Sequence, residues 1–165
     1  MRLLHKFLLI GVAGPLLAAP AAGQKADDQI APRSVALLNQ GQALLAQGKF
    51  MAADDAFETA LAVDPRNRAA FVAMARVATK EKLFGQAIRF TNKALQLEPT
   101  DRDALVVQGE AMVELGALPR ARENLAKLQK LCPSGCAQVA LLNTAITRGP
   151  TVAAAQPKKS APKTK

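Results

Sequence analysis

Apolar and small residues recur at steps of three and four through the middle of the chain. Leu37, Leu38, Gly41, Leu44 and Leu45 form one such stripe, and Ala53, Ala56, Phe57, Ala60 and Leu61 form the next. That spacing places each set on one face of a helix. Gly48 separates the two stripes and supplies a helix stop. Asp64-Pro65 closes the second, because a residue before proline is pushed out of the α region. The pattern predicts helices of about 14 residues. They lie at 34–47 and 50–63, at 68–81 and 84–97, and at 102–115 and 118–131.

The pairs repeat. Pro65, Pro99 and Pro133 are each 34 residues apart, and other positions keep the same step: Ala53, Ala87, Ala121; Phe50, Phe84, Leu118; Leu37, Phe71, Leu105; Gly41, Ala75, Gly109. Small residues suit the crossing of two helices, and Phe50, Phe57 and Phe84 are expected to fill the wedges between neighbouring units. After Pro133, Val139, Leu142 and Ile146 continue the phase of a first helix, and Gly149-Pro150 stop it. The segment 136–147 is therefore expected to cap the array, as an array of repeats requires. Its apolar side should cover the third pair, with Gln138, Asn143 and Thr147 facing water.

On these residues the chain resembles the tetratricopeptide repeat (TPR) family, through Leu37, Gln40-Gly41, Leu44, Ala53, Phe57, Ala60 and Pro65 in unit one. The stretch Gly48 to Asn67 (GKFMAADDAFETALAVDPRN) carries the likeness most fully. Unit two keeps Phe71, Met74-Ala75, Ala78, Ala87, Ala94 and Pro99, but has Lys82 and Thr91 where the family usually has Gly and an aromatic. Unit three keeps Leu105, Gln108-Gly109, Met112, Gly116, Ala121, Leu125 and Pro133. The resemblance implies an all-α fold: a right-handed α-solenoid of three helix pairs (34–67, 68–101, 102–135) plus the capping helix 136–147. Such motifs specify fold and say little of function.

The ends differ from the middle. Met1 to Gln24 has Arg2 and Lys6, then an apolar run from Phe7 to Ala18 that is too short to span a bilayer comfortably. Ala19-Pro20-Ala21 fits a small-x-small cleavage site. The expectation is a signal peptide over 1–21, cut after Ala21, with a cut after Gly23 or an uncleaved anchor as alternatives. An exported bacterial protein, periplasmic or secreted, follows, with 22–33 as a flexible leader. Of the formal net charge of +9, five positive charges without an acid fall in 148–165, at Arg148, Lys158, Lys159, Lys163 and Lys165. This Pro/Ala/Lys-rich tail cannot bury a core and is expected to be disordered. Loose adhesion to an anionic envelope surface is one role for it, and a solubilising terminus is the plainer one. Nucleic acid is not an expected partner, since no aromatic residue is interleaved with the basic ones.

Composition narrows the chemistry. The chain has 34 alanines, no Trp and no Tyr, and its one histidine, His5, lies in the expected signal peptide. A Ser-His-Asp triad or a histidine metal site would then be impossible in the mature protein. Asp54 and Asp55 are adjacent on a helix and point about 100° apart, so they do not converge on a substrate atom. The protein is read as a non-enzyme without cofactor or metal. Cys132 and Cys136 enclose Pro133-Ser134-Gly135 in the last turn. In an oxidising compartment they are read as a structural disulfide that fixes the angle of the cap, with a redox or metal-handling pair and free thiols as alternatives.

In the resembled family the first helices of successive units line a concave surface that holds a partner peptide. The positions here are Val35, Leu38 and Gln42, then Val72, Arg76 and Lys80, then Val106, Glu110 and Glu114. They predict an apolar floor flanked by a basic and an acidic patch. The family variant that clamps a C-terminal carboxylate needs Lys and Asn in these slots; Leu38 and Gln42 stand there instead. The leading expectation is a scaffold of the cell envelope that binds a peptide segment of an envelope protein. A thiol-based accessory using Cys132 and Cys136 is the second reading. The alternative for the groove is that the cap helix covers it.

Overall fold

The computed structural model describes residues 29–151. The expected signal peptide, most of the leader and the tail beyond Thr151 lie outside these residues. Seven helices follow in order: α1 (Pro32–Ala46), α2 (Phe50–Val63), α3 (Arg68–Lys80), α4 (Phe84–Leu97), α5 (Arg102–Glu114), α6 (Leu118–Leu131) and α7 (Ala137–Arg148). Each bound falls within two residues of the periodicity's expectation. Two ends are corrected. Pro32 and Arg33, read as leader, form the first turn of α1, where a proline lacking an N–H costs nothing. Arg148, read as tail, is the last residue of α7 and pairs with Glu114.

Helices pack as antiparallel hairpins, α1 with α2, α3 with α4 and α5 with α6, and each hairpin packs on the next. The first helices also touch in series, α1 on α3, α3 on α5 and α5 on α7. They form an inner layer, and α2, α4 and α6 form the outer one. The first helix of unit three is the most buried: along α5, Ala104 to Gly109 and Ala111 to Val113 are all buried.

The 34-residue period is visible in the backbone. Asp64, Glu98 and Cys132, each before a proline, leave the helical conformation at φ −145°, −142° and −131°. Asn67 and Asp101, also 34 apart, start α3 and α5 by accepting from the N–H groups of Ala70 and Ala104. Gly48 and Gly116 take positive φ at the turns inside units one and three, at 73° and 74°. Lys82 does the same in unit two, at φ 62°. The departure from glycine therefore leaves the turn unchanged and places a lysine in a conformation that L side chains disfavour.

Packing between units follows side-chain size. Phe57 is fully buried and lies on Gly41 of the same hairpin, in a cluster with Ala70, Met74 and Val77 of the next unit. Phe84 is buried in the cluster of units two and three, whereas Phe50 is only partly buried. At the matching place in unit two, Thr91 is fully buried and returns its hydroxyl to the Ala87 carbonyl oxygen at 2.9 Å. The cap seats Leu142 and Ala145 on unit three. Asn143 and Thr147 are exposed as expected. Gln138 is instead half-buried, because its amide donates to Asp103 Oδ1 at 3.0 Å.

Candidate protein-binding groove

The inner layer encloses two adjoining depressions that share Leu45 and Arg76. The larger, with a volume of about 630 Å³, lies between α3, α5 and α7. Its apolar surface comes from Leu45, Phe84, Val106, Val107 and Leu141, and four cations surround it, Arg76, Lys80, Lys82 and Arg148. Two carboxylates, Glu110 and Glu114, stand on its α5 wall. The smaller, about 480 Å³, lies between α1, α3 and α5 and presents Gln42, Arg68, Asp101 and Asp103 around Val72 and Ala73.

Helical register explains the grouping. Arg76 and Lys80 are four apart on α3, as are Glu110 and Glu114 on α5, so each pair projects from one helix face toward the neighbouring helix. Arg76 reaches Asp103 at 3.5 Å across α3 and α5, with both side chains about half exposed. Arg68 pairs with Asp101 beside it. Glu114 is held by Arg148 Nη2 at 2.9 Å, and it accepts from the Thr151 backbone N–H and hydroxyl at 2.7 Å each. Burial pushes the Glu110 carboxyl up, and Arg76, Arg148 and Lys80 partly oppose that rise.

Seven of the nine positions expected from the sequence therefore border the two depressions: Gln42, Val72, Arg76, Lys80, Val106, Glu110 and Glu114. Val35 is 40% exposed but lines neither, and Leu38 is buried between units one and two. Val72 and Val106 are core residues, 5% and 4% exposed, that show the groove only an edge. The acidic patch is not a free one, since Arg148 and Thr151 occupy Glu114. The cap does not roof the groove: α7 packs beside α5 as a fourth inner helix and walls one end with Leu141 and Arg148. Leu141, Arg148, Lys82 and the Asp101–Asp103 corner were not among the expected positions. Carrying the 34-residue step into the cap would have found Arg148, which lies one step after Glu114.

Behind the groove, three amides form a chain that no apolar pattern reveals. Asn124 Nδ2 donates to Gln108 Oε1 at 2.9 Å and to the Leu105 carbonyl oxygen at 3.2 Å. Gln108 Nε2 donates in turn to Asn92 Oδ1 at 2.7 Å. The chain links α4, α5 and α6 and fixes the helix that carries Glu110. Among the described residues, no three of His, Cys, Asp and Glu group as metal ligands would.

No protein-family model matches the sequence, and no curated protein does. Solved structures do match. The TPR domain of Sgt2 from Aspergillus fumigatus superposes with a TM-score of 0.66 at 19% identity, over 82% of this chain and 90% of that one. The first TPR of Spaghetti (RPAP3), bound to the HSP90 peptide SRMEEVD, matches with a TM-score of 0.64 at 23% identity, over 75% of this chain and 94% of that one. The second TPR domain of human RPAP3, in complex with the HSP70 peptide SGPTIEEVD, gives 0.63 at 21% identity, over 70% and 95%. The chain thus has the fold of tetratricopeptide-repeat domains, an all-α solenoid.

Proposed function

We propose that this protein is a non-enzymatic interaction scaffold of the bacterial cell envelope that holds a peptide segment of a partner protein in its inner groove. The observation that carries this reading is the larger depression, an apolar surface ringed by Arg76, Lys80, Lys82 and Arg148. Apolar surface supplies most of the binding free energy, and the cations add specificity and a faster encounter. Solved domains of the same fold, such as the two RPAP3 domains, are bound to peptides. The envelope location rests on the sequence of residues 1–21. No helix among the described residues is long and apolar enough to cross a membrane. The basic tail would add weak contact with anionic envelope surfaces, screened by salt.

Val72→Asp is unsuited to test the groove, because it would place a carboxylate in the core and unfold the array. Arg76→Glu with Lys80→Glu changes only exposed side chains. Immobilised wild-type protein should retain a specific partner from envelope extract, and the double variant should lose it while its dichroism spectrum is unchanged. Equal retention by both would place the interaction elsewhere. N-terminal sequencing of protein recovered from the envelope tests the export reading; an intact Met1 would refute the cleavage.

A further inference from the structure

The loop between α6 and α7 holds two sulfur atoms in unlike surroundings. Cys132 is 9% exposed, and Arg102 Nη1 lies 3.8 Å from its Sγ. Cys136 is more accessible and is the N-cap residue of α7, a 12-residue helix. Their Cα atoms are 5.8 Å apart, a distance that a disulfide spans. A guanidinium and a helix N-terminus both favour a thiolate over a thiol. Each sulfur therefore has its own stabilising partner when the pair is reduced, and a stabilised reduced form is what makes a disulfide easy to open.

We propose that Cys132 and Cys136 form an exchangeable disulfide, reduced by a dithiol and re-formed when a disulfide oxidant takes the two electrons back in the reverse exchange, that tethers the capping helix to the last repeat. The thiolate of the dithiol attacks Cys136 Sγ, the more accessible sulfur. A mixed disulfide forms at Cys136, the Cys132–Cys136 bond breaks, and its electron pair leaves on Cys132 beside Arg102. The second thiol of the reductant gives up its proton and attacks its own partner sulfur. Cys136 then leaves as a thiolate at the start of α7. Two electrons pass to the cysteine pair, the dithiol becomes a disulfide, and its two protons pass to solvent or to the new thiolates. The tether matters to the groove because α7 supplies Leu141 and Arg148 to its end wall. The exchange itself does not rest on the groove reading.

The test uses the full chain, air-oxidised and equilibrated with mixtures of reduced and oxidised dithiothreitol, then acid-quenched, alkylated and weighed by mass spectrometry. Two thiols should appear and disappear reversibly while far-ultraviolet dichroism stays constant. Arg102→Gln should move the equilibrium toward the disulfide by about tenfold, the equivalent of one unit of thiol acidity, and Arg102→Lys should restore most of that. Brief exposure of the wild type to glutathione should leave its adduct on Cys136. The proposal fails if air-oxidised protein carries two alkylatable thiols, if Arg102→Gln leaves the equilibrium unchanged, or if the adduct sits on Cys132. Should Arg102→Gln not fold, the thiol count and the adduct position in the wild type still decide.

Discussion

Leu142 rests on the bare backbone of Gly109: a methyl group at Gly109 would stand 2.6 Å from one Leu142 Cδ and 2.7 Å from the other. Leu142 is fully buried and Ala145 nearly so, and they are the two buried residues of α7. Leu142 is thus the largest buried side chain of the cap, with Ala145, Val139 and Ile146 packed around it. Leu142→Ala should cost about 2–5 kcal/mol, as buried leucines do. The loss should be concentrated in the cap. Hydrogen exchange at 137–148 should accelerate far more than at 68–97, and Gly109→Val should give the same local pattern. Uniform acceleration along the chain would contradict a separately seated cap.

Phe57 and Phe90 are both phenylalanines in outer helices, yet only Phe57 is fully enclosed, while Phe90 is half-buried between two clusters. Phe57→Ala should cost about 3–5 kcal/mol, and Phe90→Ala clearly less. Paired thermal melts decide, and equal shifts would reverse the assigned phase. Gly41→Val, which drives a side chain into the Phe57 ring, should destabilise the same hairpin.

Lys82 occupies the turn position that glycine holds in units one and three. Lys82→Gly removes a steric cost of about 1–2 kcal/mol and adds a backbone entropy cost of about 0.5–1 kcal/mol. A small net rise in melting temperature is expected. Gly116→Ala should do the opposite, since its backbone is equally left-handed and no atom lies near enough to clash. The comparison isolates backbone strain from packing.

Asp64 and Glu110 should pull stability in opposite directions with pH. Hydrogen bonds from the Arg66 side chain, the Ala31 N–H and the Arg66 N–H lower the Asp64 carboxyl from 3.8 to about 2. Its contribution is thus complete above the unfolded value and is lost as pH falls from about 4 toward 2. Glu110 is raised by burial, so its contribution is present at low pH and is lost as pH rises through its folded value. In urea titrations Asp64→Asn should flatten the acid decline of the wild type. Glu110→Gln should raise the midpoint at pH 7 and change it little at pH 4. An unaltered acid limb in Asp64→Asn would remove Asp64 from the account.

Much of this architecture was legible in the chain because its causes are local or periodic. The prolines at 65, 99 and 133 end the outer helices, and the apolar stripes mark which faces go inward. Combined with the concave surface that the family resemblance implies, that phase named seven residues that border the two depressions. Val35 and Leu38 do not border them: Leu38 is buried between units one and two, and Val35 lies at the start of α1, two turns before Gln42, Leu45 and Ala46, which do border the smaller depression. The amide chain Asn92–Gln108–Asn124 was equally hidden. Polar residues at helical spacing read as solvated until the neighbouring helix that buries them is known.

By itself, then, the sequence determined the seven helices, their 34-residue step and the glycine and alanine crossings, since these depend on backbone preference and side-chain size at fixed spacing. Only the tertiary structure decided which charges are free and which are answered. Arg148 and Thr151 reach Glu114 from 34 and 37 positions away, Arg102 reaches Cys132 from 30, and Gln138 turns back to Asp103. These partners meet because α7 lies beside α5 and the end of α6 returns to the start of α5, and no spacing rule within a single helix encodes which side chain a neighbouring element brings.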